Sequence, residues 1–119
     1  MRRRAAQALL VAGVAAIAAV PTASGGTERP KKVVQVADNY FDPMNFTVKK
    51  GTRIVWKWSA DNAETHDVKL IERPKGARRF HSDPAATDFA FRRTLRVRGK
   101  YKVICTFHRV LMKQTITVK

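Results

Sequence analysis

Residues 52–58 read TRIVWKW. Ile54, Trp56 and Trp58 fall on one face of this stretch, and Arg53, Val55 and Lys57 on the other. A period of two is what a half-buried strand requires, because successive side chains point to opposite faces. The same rhythm runs outward in both directions. Upstream, NFTVKKG (45–51) sets Phe46 and Val48 against Thr47 and Lys49, and KKGT (49–52) makes the turn; KVVQVAD (32–38) reads as a further strand. Downstream, DVKLIE (67–72) places Val68 and Leu70 opposite Lys69, followed by DFAFRRTLRV (88–97), YKVICTF (101–107) and KQTITVK (113–119). No segment carries the 3.6-residue periodicity of an amphipathic helix of ordinary length. Seven or so short strands separated by turn signals predict an all-β, Greek-key antiparallel β-sandwich. Trp56, Trp58, Phe46 and Tyr101 are expected in the core or on strand faces, with the interleaved lysines and arginines mostly solvated.

The first residues stand outside this pattern. MRRR (1–4) is a positive n-region, AAQALLVAGVAAIAAV (5–20) an apolar h-region, and PTASGG (21–26) supplies small residues. This predicts a signal peptide over 1–24, cleaved after Ala23, Ser24 or Gly25, and one domain over 25–119. The apolar run is shorter than the roughly twenty residues of a membrane span, so no stable span is expected in the mature chain. No cysteine lies near the cleavage region to accept a lipid. The expected location is periplasmic or extracellular. The full chain carries 24 Lys and Arg against 9 Asp and Glu; without the three leading arginines, 21 basic residues remain and the net charge is +12. Such a balance implies acidic partners or surfaces. Nucleic acid is not among them, since export and the lack of a basic recognition helix both argue against it.

Two loops interrupt the strands: SADNAETH (59–66), polar and ending at His66, and RPKGARRFHSDPAAT (73–87), long, basic and containing His81. The chemistry concentrates near the C-terminus, in CTFHRVLM (105–112). Cys105 is the only cysteine of the chain, and a lone thiol cannot form an internal disulfide in an oxidising compartment. His108 and Met112 follow it at short spacing. A thiolate, two imidazoles and a weak thioether form the donor set of a copper electron-transfer site, His2Cys with a long axial Met. Soft sulfur suits Cu(I) and imidazole suits both oxidation states, so neither state demands a large rearrangement. The second imidazole must be His66 or His81. His66 has a strand's rigidity behind it, whereas His81 sits within a basic loop and is expected to be solvated.

The chain resembles the cupredoxins, the small type I blue copper proteins of the plastocyanin and amicyanin kind. YFDPMNFTVKKGTRIVWKW (40–58) is similar to their first half, THDV (65–68) to the segment bearing the first histidine, and GKYKVICTFH (99–108) to their G-x-Y-x-x-x-C-x-x-H. The resemblance implies a cupredoxin-like sandwich holding one copper ion through His66, Cys105, His108 and Met112. It also implies that backbone N–H groups of Asp67 and Phe107 tune the thiolate. The chain departs from the family's pattern in four ways. Arg109-Val110-Leu111 stands where many relatives carry Pro-Gly, and the three-residue gap from His108 to Met112 lies between the family's shorter and longer versions. Gln114 replaces a common Gly, and Asp67 an Asn. A carboxylate turned toward the copper would favour Cu(II).

The implied function is an exported single-electron carrier that catalyses nothing itself. Its expected partner is an acidic redox protein, a cytochrome or oxidase domain, bound transiently by a monomer through the exposed edge of His108 and the Arg109–Leu111 segment. A copper carrier or resistance protein using the same ligands is the alternative, and a metal-free basic adhesion module a third. The chain's size and its 3 histidines exclude a multicopper oxidase, and one cysteine excludes a dinuclear purple centre.

Overall fold

The computed structural model describes residues 29–119. The signal peptide and its cleavage positions lie outside the described residues. Eight strands follow one another: β1 (Lys31–Ala37), β2 (Tyr40–Asp42), β3 (Asn45–Val48), β4 (Thr52–Trp58), β5 (Lys69–Glu72), β6 (Ala90–Leu95), β7 (Gly99–Ile104) and β8 (Lys113–Val118). They form two four-stranded sheets, ordered β2-β1-β4-β6 and β3-β8-β7-β5. The predicted sandwich stands, with one refinement. β1 pairs with β4 in parallel and β3 with β8 in parallel, so both sheets are mixed rather than purely antiparallel. Alternation reports which face a residue takes and carries no information on the direction of its neighbour.

The inner faces supply the core. Ile54 and Trp56 of β4 are fully buried, as are Val34 and Val36 of β1, Val103 of β7 and Ile116 of β8. Trp56 packs against Phe80 and Phe91, with ring centroids 5.5 and 5.8 Å away. Val55, expected on the solvated face, is also buried. On that outer face its direct neighbours are Val33 on β1 and Arg92 on β6, which stand beside it and cover it.

Gln114, flagged as a departure from the family's pattern, ties the sheets together. It is 1% exposed, accepts a hydrogen bond from the Trp56 indole N–H (2.9 Å) and donates one to the Pro43 carbonyl (2.7 Å). A buried amide needs such partners, and here both of its ends find one. Gly99 opens β7 at φ +134°, and a Cβ there would lie 2.8 Å from the side chain of Pro74. Only glycine fits both the conformation and the space.

The topology gathers three segments at one end of the sandwich. β4 ends at Trp58, whose indole N–H donates to Ala85 O (2.8 Å). His66 and Ala85 exchange both backbone hydrogen bonds, at 2.9 and 3.0 Å. β7 ends one residue before Cys105, and the connection to β8 closes on itself: Met112 N–H donates to His108 O (2.9 Å) and Cys105 N–H to Met112 O (3.1 Å).

Candidate metal centre

His66, Cys105 and His108 come together at this end, each offering one donor atom, all within 4.8 Å of one another. The Cys105 sulfur is 3.9 Å from His66 Nδ1 and 3.7 Å from His108 Nδ1. A metal bonded to nitrogen at about 2.0–2.1 Å and to sulfur at about 2.3 Å, with a trigonal angle between them, requires a separation of about 3.8 Å. The donor spacing fits. His66 and Cys105 are fully buried, while the His108 side chain is 18% exposed.

Carboxylates fix both rings. The His66 Nε2–H donates to Asp38 Oδ1 at 2.8 Å, and the His108 Nε2–H donates to Glu64 Oε1 at 2.5 Å. An ionised carboxylate only accepts, so the proton of each neutral ring sits on Nε2 and the lone pair of Nδ1 is left facing the sulfur. Outer carboxylates of this kind orient metal-binding imidazoles and raise their basicity. Asp38 is itself held by the N–H groups of Ala63 (2.9 Å) and Glu64 (3.2 Å). The Ala63 N–H foremost, with help from His66, keeps its carboxyl below the usual range.

The thiol environment is mixed. Burial, the largest influence, pushes the Cys105 thiol up, and the charge of Asp67 adds to this; N–H groups of Asp67, Phe107 and His108 point at the sulfur and pull it down. The two N–H groups expected at Asp67 and Phe107 are present, with that of His108 in addition.

Asp67 is 3% exposed and its carboxylate is engaged by residues other than the three donors. Thr106 donates to it from both backbone N–H and hydroxyl, each at 2.6 Å, and His81 Nε2–H donates at 2.8 Å. Burial raises its pKa, but the hydrogen bonds from His81 and Thr106 together outweigh it and leave the group below its ordinary value. Asp67 thereby clamps the residue after the cysteine to the residue after the first histidine. His81, expected to be a solvated loop residue, is 48% exposed and in addition holds this carboxylate. It lies outside the donor group.

Met112 is fully buried, in the same core cluster as Cys105. The residues that flank His108 in its loop are exposed and largely apolar: Phe107, Val110 and Leu111 are 53%, 79% and 63% exposed, with Arg109 exposed between them, while the half-exposed Glu64 sits on the ring's Nε2. Asp38 and Glu64, and the contact of His81 with Asp67, have no counterpart in the sequence motifs. Glu64 stands in the polar stretch leading into His66, whereas Asp38 follows β1, three strands earlier, and neither position by itself specifies a contact.

The sequence profile of the copper-binding proteins of the plastocyanin/azurin family matches residues 30–119. No curated protein sequence matches the chain. Among solved structures, a copper-containing nitrite reductase of Thermus scotoductus is similar at 25% identity and a TM-score of 0.68 over 84% of this chain, which spans 25% of that one. A purple cupredoxin of Nitrosopumilus maritimus is similar at 21% identity and a TM-score of 0.61, covering 73% of this chain and 98% of that one. An amicyanin variant in its reduced state shares 24% identity at a TM-score of 0.63, over 73% of this chain and 80% of that one. Family profile, sandwich and converging donors agree: the chain belongs to the copper-binding plastocyanin/azurin family, the cupredoxins, and its cofactor is a single type I copper.

Proposed function

We propose that this cupredoxin is an exported single-electron carrier and not an enzyme. In this reading His66 Nδ1, Cys105 Sγ and His108 Nδ1 would hold the copper, and the buried Met112 thioether would be a weak fourth donor. Bound there, copper supplies a one-electron couple between Cu(I) and Cu(II). The observation that carries the proposal is the asymmetry of the donors: His66 and Cys105 are sealed in the core, while His108 reaches the surface on a loop whose neighbouring Phe107, Val110 and Leu111 are exposed.

That asymmetry does two things. Rings locked by Asp38 and Glu64, on a loop closed by backbone hydrogen bonds, are held in one arrangement whichever oxidation state is bound, and little has to move when an electron passes. The His108 edge offers a short way out. Phe107, Val110 and Leu111 let a partner approach closely and leave quickly, while the net positive charge steers an acidic one from a distance. The partner in this reading is an acidic cytochrome or oxidase domain, bound transiently by a monomer. Export rests on the n-region and apolar run of the first residues.

The visible spectrum of the copper-loaded protein tests the ligand set. An intense thiolate-to-Cu(II) band is expected, and Cys105→Ser should abolish it because a hydroxyl cannot supply that charge transfer. His66→Gly should open a position that added imidazole refills. Met112→Leu should keep copper and raise the reduction potential. A colourless Cu(II) protein overturns the reading, and reversible cycling without loss of metal to a chelator separates an electron carrier from a copper carrier. For the partner, association should slow as salt rises, and Leu111→Asp should impair electron transfer while leaving the band unchanged.

A further inference from the structure

A second feature lies on the flank of the sandwich, away from the copper. A cleft of about 890 Å³ runs between the loop at Gly76–Phe80 and the strand β6, and it is lined by Arg53, Arg78, Arg79, Arg92, Arg93 and Arg96. β6 is an edge strand. Arg53 lies near the start of β4, five residues before Trp58, whose indole touches the carbonyl of His66. At about 3.3 Å per residue this places it roughly 17 Å from the copper end.

Three observations separate this cleft from an ordinary solvated face. All six guanidinium groups belong to exposed residues, and among the described residues every ion pair uses His66, His81, His108 or Lys102 and none uses an arginine. The loop wall is built rather than loose. Arg73 donates to the Ala77 carbonyl, Ala77 N–H donates to Pro74 O (3.1 Å), and Ala77 and Phe80 are buried. Arg78 and Arg79 are thus held between two anchored residues. On the opposite wall the Arg93 guanidinium stacks 4.3 Å over the ring of Phe91. The cleft's apolar lining is sunk in the core: Phe80, Leu95 and Tyr101 are buried and Val97 is partly buried, while none of the large exposed hydrophobic residues, Val33, Tyr40, Met44, Ile71, Phe107, Val110 and Leu111, lines it. A protein partner would need exposed apolar anchors at the centre of its interface. A bilayer is flat where this surface is concave.

We propose that the arginine cleft binds a linear, phosphate-bearing polyanion. Guanidinium forks match phosphate oxygens in pairs, which accounts for arginine rather than lysine at all six positions. Successive phosphates along one chain would relieve the repulsion among cations that no carboxylate of the fold neutralises. The site is independent of the copper, so the protein could remain attached to a polymer while its His108 face exchanges electrons.

The test is a titration of the copper-loaded protein with long-chain inorganic polyphosphate at fixed ionic strength, read by calorimetry. Arg78→Ala with Arg79→Ala should weaken binding by about tenfold or more, with the copper band unchanged as proof of fold. Lys49→Ala with Lys113→Ala removes the same charge outside the cleft and should cost less than about twofold. Arg78→Lys with Arg79→Lys keeps the charge but not the fork and should recover only part of the affinity. Equal losses in the two alanine pairs, or full recovery by lysine, would reduce the site to net charge and overturn the proposal. Equal affinity for polyglutamate would remove the preference for phosphate. Tighter binding to phosphatidylglycerol vesicles, lost with the same arginines, would make the cleft a membrane face.

Discussion

The two ends of β4 handle charge in opposite ways. Near Trp58 the three carboxylates around the copper donors each have a partner: Asp38 takes His66, Glu64 takes His108, and Asp67 takes Thr106 and His81. Near Arg53, six arginines gather with no carboxylate among them. For His66 and Asp67 the difference follows from burial. A polar group removed from water must be satisfied inside the protein, so the ligand end can fold only with its hydrogen bonds complete. An exposed guanidinium is satisfied by water, and folding neither requires nor forbids its neighbours. Polar contacts at the copper end are therefore explained by the site itself, whereas accumulation of cations on the flank needs a cause outside the fold.

The sharpest way to break the contrast is at Asp67. Asp67→Ala strands the Thr106 N–H and hydroxyl and releases His81, and should cost about 3 kcal/mol in chemical denaturation of the metal-free protein. The sign with pH is fixed by the depressed pKa. The unfolded chain binds the proton more readily, so the contribution of Asp67 is fully present above its ordinary value of 3.8 and is lost as pH falls below this through the lower folded value. Asp67→Asn should flatten the stability profile in that window and lower stability by a constant amount at neutral pH, where the contribution of the ionised carboxylate is fully present. His81→Gln should cost less than Asp67→Ala, because the half-exposed ring can be replaced by water.

A smaller effect is expected at Gln114, away from both regions. Gln114→Leu removes the acceptor for Trp56 and the donor to Pro43, leaving one buried N–H and one carbonyl without partners, for about 2 kcal/mol. Thermal unfolding measures it. A loss near zero would mean that water enters and takes over both bonds.

How much of this was legible in the sequence follows the range of each contact. The strands were readable because alternation is local, and TRIVWKW placed Ile54, Trp56 and Trp58 in the core. Cys105 and His108 were readable because one loop carries both. His66 was readable from its position before a strand, and the structure brings it to the sulfur. Parallel pairing of β1 with β4 was not, since alternation is indifferent to direction. Nor were the carboxylates: Asp38 meets His66 across 28 residues and Glu64 meets His108 across 44. The long basic loop keeps His81 exposed, as its composition suggests, but its fold back onto Asp67 and the placing of its arginines opposite β6 are long-range contacts that composition does not encode.

The smallest expected effect bears on the flank, and its sign matters more than its size. Arg78→Gln with Arg79→Gln breaks no ion pair, since neither arginine has a carboxylate partner in the fold. The buried neighbours Ala77 and Phe80 are untouched. Surface changes of this kind ordinarily stay within about 0.5 kcal/mol. Here the change should be stabilising, because two of the six like charges around the cleft are removed. Salt distinguishes repulsion from any other origin. At 0.01 M the Debye length is about 30 Å and the arginines act on one another, whereas at 1 M it is about 3 Å and they do not. The gain in the unfolding midpoint should therefore be present at low salt and vanish at high salt. A loss of stability that persists at both salt concentrations would show that Arg78 and Arg79 hold the loop in place, and the contrast between a satisfied end and an open flank would not survive it.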